Sequence, residues 1–248
     1  MKISGIQKFS LIDFPGKKSC IIFTAGCNFR CGFCHNPEFV LPEEVVRLKG
    51  NFIQEEALFN FLNERKGLLD GVVVSGGEPT IMPDLPEFFA KIRAMGFQTK
   101  LDSNGSNPNM LQKLIDQKLL DYIAMDIKTA PECYPDLAGA NARIEAILDS
   151  IRIIKSSPID YEFRTTLIQE LHPFELLSSM AEVVGDAKHW FLQEYRPGHT
   201  LDPSFAHKKP YTPKEMRAIA DQLRPVAPNI DIRTFSEAEN PQMEGRLV

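Results

Sequence analysis

Apolar positions along the chain switch repeatedly between two periods. Short β-branched or aromatic runs at residues 19–25 (SCIIFTA), 71–75 (GVVVS), 97–102, 122–127, 161–168 and 190–195 have the character of strands. Between them lie stretches with apolar residues three and four apart. Residues 54–65 carry Ala57, Leu58, Phe61 and Leu62, and residues 84–95 carry Leu85, Phe88, Phe89 and Ile92. Residues 107–117, 144–155, 173–184 and 213–223 continue the series, so each predicted strand is followed by a predicted helix. The run GVVVS has no polar alternation, which fits a strand covered on both faces. Six βα units of this kind predict parallel strands with right-handed crossovers, an α/β architecture of the partial (β/α)6 barrel type, open on one side.

Composition narrows this picture. A chain of 248 residues can fill one such barrel but not two large domains. Residues 1–235 are therefore expected to be one domain, with the polar residues 236–248 (SEAENPQMEGRLV) a mobile tail. No apolar run approaches the roughly 20 residues of a membrane span. The 28 basic and 33 acidic residues leave a net charge of -5 without a basic cluster, which argues against nucleic acid as a partner. The N-terminal MKISGIQKFS lacks the apolar core of a signal peptide, so the expected compartment is the cytoplasm, where thiols stay reduced. Three of the five cysteines, Cys27, Cys31 and Cys34, fall within eight residues, whereas Cys20 and Cys133 stand apart. Such crowding points to metal or redox chemistry rather than to a disulfide framework.

In parallel barrels, chemistry collects in the loops after the strands. The cysteine loop follows the first predicted strand, GGEP (residues 76–79) the second and SNG (103–105) the third, while DIK (126–128) closes the fourth. The CxxxCxxC spacing supplies three local thiolates, where a closed structural site of zinc or of an iron–sulfur cluster normally takes four protein ligands. A cubane held by three would keep one iron open. A structural zinc or electron-transfer module is the alternative. Cys20, inside the predicted strand, or His35, adjacent to Cys34, would then have to complete the site.

CxxxCxxC with an aromatic residue, Phe33, just before the last cysteine resembles the signature of radical S-adenosylmethionine enzymes. GGEP after the next strand is similar to their second motif. Asp102-Ser103-Asn104-Gly105 resembles the DTNG segment of the glycyl-radical-enzyme activases, with Ser for Thr, and Asp126-Ile127-Lys128 resembles their DIK motif. The resemblance implies a [4Fe–4S] cluster on Cys27, Cys31 and Cys34 whose open iron binds the amino and carboxylate groups of S-adenosylmethionine. It also implies a cofactor pocket. There Gly76 and Gly77 would meet the amino group, Glu78 would accept hydrogen bonds or fix the loop, and Phe33 would lie by the adenine. Asn36 would contact the cofactor and Lys128 its carboxylate. Asp102 and Asp126 have three roles open to them: holding Lys128, orienting the ribose, or sharing a monovalent cation. Asp102 or Asn104 could instead cap the next helix. Arg164 and His172 receive no assigned role, the loop 196–199 could shape a docking surface at the catalytic end, and Cys133 is a bystander.

The activity implied is one-electron reduction of the sulfonium to a 5′-deoxyadenosyl radical, which takes the Cα hydrogen of a glycine on a partner enzyme. SLIDFPG (residues 10–16) resembles the DGPG segment of activases, with Phe14 in place of Gly. Together with CNFRCGFCHNP it is most similar to the activases of anaerobic ribonucleoside-triphosphate reductases. That reductase is the expected partner, and a flavodoxin or ferredoxin the expected electron donor. Two cysteines outside the loop are too few for an auxiliary cluster. The alternative within the superfamily is a small-molecule enzyme such as 7-carboxy-7-deazaguanine synthase.

Overall fold

The computed structural model describes residues 1–139 and 142–234. Its centre is a single eight-stranded sheet in sequence order: β1 (Ile3–Ser10), β2 (Ser19–Thr24), β3 (Gly71–Gly76), β4 (Gln98–Ser103), β5 (Tyr122–Asp126), β6 (Asp160–Leu167), β7 (Trp190–Glu194) and β8 (Ile230–Arg233). From β2 to β8 every neighbouring pair is parallel, and β1 runs antiparallel to β2. β1 and β8 are the two edges, so the curved sheet is not closed. The expected open α/β barrel is therefore present, with two strands added that the sequence pattern did not announce. The predicted tail, residues 236–248, lies outside the described residues.

Helices connect the parallel strands. α1 (Pro37–Val40), α2 (Pro42–Leu48) and α3 (Glu55–Glu64) join β2 to β3, α4 (Leu85–Ala94) joins β3 to β4, and α5 (Pro108–Asp116) joins β4 to β5. α6 (Tyr134–Ala138) and α7 (Ile144–Ser156) lie between β5 and β6, α8 (Phe174–Val184) between β6 and β7, and α9 (Pro213–Leu223) between β7 and β8. Local chemistry sets several starts. Asn107 accepts from the Met110 N–H to cap α5, and Thr212 with Glu215 forms a reciprocal capping box on α9. None of the helices among the described residues is long and apolar enough to cross a membrane.

The strands use their two faces differently. Ile22, Val72, Val74, Leu101, Ile123 and Phe163 face outward into the main core with Leu58, Phe88, Leu111, Ile151 and Leu177 from the helices, all 3% exposed or less. Each such side chain contributes about 1.5–3 kcal/mol by leaving water. Alternate residues face the barrel interior. Ile21, Val73 and Tyr122 form a smaller apolar cluster there with Phe14, from the loop between β1 and β2. Higher on β4–β6 the interior turns charged, and the loops above it face an open cleft.

Candidate functional site

β2 delivers the cysteine loop to the C-terminal end of the sheet. Cys27, Cys31 and Cys34 line a cleft of about 860 Å³ including its mouth. Every residue singled out from the sequence lines it: the three cysteines, Phe33, Asn36, Gly76, Gly77, Glu78, Asp102, Asn104, Asp126 and Lys128. Burial favours the neutral thiols. It pushes Cys27 up to about 12, with the Glu78 carboxylate adding to the effect. Cys31 and Cys34 are also raised by burial, opposed by the Lys128 ammonium. A positively charged metal group in the cleft would tip them to thiolates. Cys27 Sγ accepts from the Phe29 N–H at 3.4 Å and from Asn104 Nδ2 at 3.8 Å. Cys20 lies in β2, fully buried, with its thiol pushed up to about 12 by burial, and does not line the cleft; nor does Cys133. His35 lines it but donates from Nε2 to the Arg196 carbonyl at 2.7 Å. Among the described residues no three His, Cys, Asp or Glu side chains converge as ligands of one ion.

GGEP is more than a turn. A Cβ on Gly77 would stand 2.1 Å from the Gly26 carbonyl oxygen, and one on Gly76 2.3 Å from Thr24 N. Side chains are therefore excluded by the backbone of β2's last residues and of the start of the cysteine loop, in addition to the proximity of the cleft. Glu78, 1% exposed, ties two loops together. Its Oε1 accepts from Thr80 N at 3.0 Å, the Thr80 hydroxyl and Ser103 Oγ at 2.9 Å, and Oε2 accepts from Asn104 N at 2.6 Å. Burial raises its pKa against the pull of these donors. Asn104 then reaches back to Asn28 Oδ1 at 3.1 Å and to Cys27. Neither Asp102 nor Asn104 caps α5, a task that falls to Asn107.

Below the rim, charges alternate across β4, β5 and β6. Lys100 Nζ, its side chain 1% exposed, donates to Asp102 Oδ1. Arg164 donates from Nη1 to Asp102 Oδ2 at 3.3 Å and from Nε to Asp126 Oδ1 at 2.8 Å, and Lys128 Nζ lies 3.2 Å from Asp126 Oδ2. Burial would raise both carboxyls, yet Arg164 with Lys100 holds Asp102 below its usual range, and Arg164 with Lys128 holds Asp126 at about 2. Lys128 is therefore held by Asp126, while Asp102 is engaged by Lys100 and Arg164. Lower still, Arg233 grips Glu162 with two hydrogen bonds of 3.1 and 3.0 Å, and Tyr122 donates to the same carboxylate at 3.1 Å.

Sequence reasoning missed three supports. His172, fully buried, accepts from Ile168 N at Nδ1 (3.1 Å) and so presents Nε2–H to the Lys128 carbonyl at 2.9 Å. The Tyr134 hydroxyl accepts from Lys128 N at 3.1 Å. The segment after β7 backs the cysteine loop, with Leu201 N donating to Cys34 O and Asp202 N to Gly32 O, both at 2.9 Å. Phe205 packs on Phe33 at 6.2 Å and lies so close to Gly32 that a Cβ there would meet its ring at 2.5 Å. No residue pattern in 196–207 signals these contacts.

The model of the radical SAM superfamily matches residues 21–180. A protein of Methanocaldococcus jannaschii named "putative glycyl-radical enzyme activating enzyme" is 32% identical over 241 residues, 94% of this chain and 96% of its own. The pyruvate formate-lyase-activating enzyme of Listeria monocytogenes is 33% identical over 134 residues, 51% of this chain and 53% of its own. With that relative the similarity thus spans about half of either chain. Among solved structures, SuiB of Streptococcus suis superposes with a TM-score of 0.63 at 14% identity, covering 87% of this chain and 48% of SuiB. Coproporphyrinogen III oxidase of Escherichia coli gives 0.51 at 13% identity, covering 83% and 50%. At these identities the two structures speak to the fold alone. By the family match and the relative aligned from end to end, the chain belongs to the radical SAM superfamily, among its glycyl-radical enzyme activating enzymes.

Proposed function

We propose that Cys27, Cys31 and Cys34 hold a [4Fe–4S] cluster, that the cleft beside them binds S-adenosylmethionine, and that the glycine activated belongs to an anaerobic ribonucleoside-triphosphate reductase. The observation carrying this is the convergence of three thiols, the GG backbone and the Lys128 ammonium on one cleft at the C-terminal ends of parallel strands. The donor set fits the cluster. Three soft sulfur donors surround a volume without converging on a point, which suits a group whose thiolates bind different irons better than it suits one zinc ion.

The bound groups supply one electron and a primary carbon radical able to take a glycine Cα hydrogen. The chain's residues position them and keep competing quenchers out. Lys128, fixed by Asp126, the Tyr134 hydroxyl on its N–H and the His172 ring on its carbonyl, offers a preset positive charge to the cofactor carboxylate. Glu78 locks the GGEP and SNG loops together, so Gly76 and Gly77 offer backbone, and Asn104 braces the Cys27 thiol. Phe33 and Asn36 close the rim beside Cys34. The open edge between β1 and β8 suits a substrate that is a loop of another protein. Choice of the reductase as partner rests on the SLIDFPGK and CNFRCGFCHNP segments, and a flavodoxin or ferredoxin is the electron donor.

The test is anoxic incubation of the reconstituted, reduced protein with S-adenosylmethionine and the reductase, followed by electron paramagnetic resonance. A glycyl doublet on the reductase is expected. One zinc per chain without acid-labile sulfide, or turnover of a pterin with no doublet, overturns the proposal.

A further inference from the structure

The monovalent cation that the activase motifs imply between Asp102 and Asp126 would meet only carboxylate oxygens that already face a fixed positive charge. Each of the four carboxylate oxygens already accepts from a cationic side chain. Asp102 Oδ1 takes Lys100 and Oδ2 takes Arg164, while Asp126 Oδ1 takes Arg164 and Oδ2 takes Lys128. Among the described residues Arg164 alone touches both aspartates. It stands on β6, reaches Asp126 on the neighbouring β5 and crosses to Asp102 on β4, with its side chain 14% exposed. A guanidinium suits this place because its fixed fork of donors can serve two acceptors at once and it stays charged when buried. With Glu162, which faces Arg164, and its partner Arg233 included, four positive side chains face three carboxylates, so the cluster carries a surplus of one positive charge before any ion arrives. A sodium or potassium ion would add a further like charge and compete for oxygens that are already engaged.

We infer that Arg164, wedged between Asp102 and Asp126, is the built-in counter-ion of that pair and stands in for the monovalent cation, so that the protein takes up its sulfonium cofactor without added sodium or potassium. Arg164 is a positioning residue in this role. It keeps both carboxylates in place, leaving Lys128 and the surplus charge for the cofactor carboxylate. The inference rests on the proposed binding of S-adenosylmethionine in the cleft.

Equilibrium dialysis of labelled S-adenosylmethionine against the anoxically reconstituted full chain tests it, in potassium, sodium or tetramethylammonium chloride at equal ionic strength. Wild-type affinity is expected to agree within about threefold across the three salts. Losing one partner of a buried charge pair is costly, so Arg164→Gln should bind about tenfold more weakly in tetramethylammonium. Potassium or sodium should restore it to within about threefold of wild type by entering the vacated position. The inference is overturned if wild-type affinity drops by more than that in tetramethylammonium. It is equally overturned if Arg164→Gln binds undiminished there, or if its loss is repaired by neither metal ion. Should the variant fail to fold by circular dichroism, the wild-type salt series decides alone. Absence of binding in every salt overturns the proposed function, and this inference with it, whereas cation-dependent wild-type binding overturns the inference only.

Discussion

The barrel interior has two unlike halves. Beneath the cysteine loop, β2 and β3 present Ile21 and Val73, and Phe14 packs against them and Tyr122 from below. Across from them, β4, β5 and β6 present Lys100, Asp102, Asp126, Glu162 and Arg164, joined in ion pairs and hydrogen bonds. The first half is held mainly by packing, which depends on no ionised group among Phe14, Ile21 and Val73. The second is held by charges that are mutually satisfied, and each is costly to leave alone. Soft sulfur donors sit above the apolar half. Groups suited to the polar parts of a nucleoside cofactor sit above the charged one.

The two halves should fail in different ways. The largest effect is expected at the rim. Cys31→Ala should abolish iron–sulfur absorbance and lower deoxyadenosine release by more than the roughly 10- to 100-fold typical of losing a mere supporting group. In the apolar half, Phe14→Ala should cost about 3 kcal/mol in urea unfolding by leaving a cavity, while cofactor affinity changes by less than about twofold. An affinity loss as large as the stability loss would erase the distinction between the halves. The charged half should instead be sensitive to acid. Asp126 is held at about 2, below the ordinary carboxylate range, so its contribution is fully present above about pH 4 and is lost as the pH falls toward 2. Arg164→Gln should therefore move the acid unfolding midpoint upward by about one pH unit, read by circular dichroism, and Phe14→Ala should not make stability more pH-dependent. The smallest effect is expected at Gly32→Ala, where the Phe205 ring must shift to admit the methyl, at a cost of about 1 kcal/mol in thermal or urea unfolding.

The same contrast governs what the sequence revealed. Six strands and their helices were legible because their outward faces are apolar and several helices begin at Pro, Asn or Thr signals. β1 was not, since ISGIQKFS contains a glycine and its middle positions are half-buried or exposed on an edge. β8 was missed because IDIR is only four residues long. The short helices of residues 37–48 lack any apolar period. At the site, the rim was legible because rare residue types cluster in sequence after successive strands. Lys100 and Arg164 were not, because a charged residue on a strand looks solvated until both faces of the strand are known. His172 received no role from the sequence, because its bracing of the Lys128 carbonyl depends on a contact between the loops after β5 and β6 that periodicity cannot show. Asp102 and Asp126 could not be told apart in the sequence, whereas in the structure Lys100 and Arg164 reach the first and Arg164 and Lys128 the second.

Leu201 and Asp202, which seal the outer side of the cysteine loop, are separated from the thiols by five strands, β3 to β7. The loop and its outer wall are thus joined only through the finished sheet. A protease cut just before Leu201 would free that wall while leaving every thiol on the sheet that carries it.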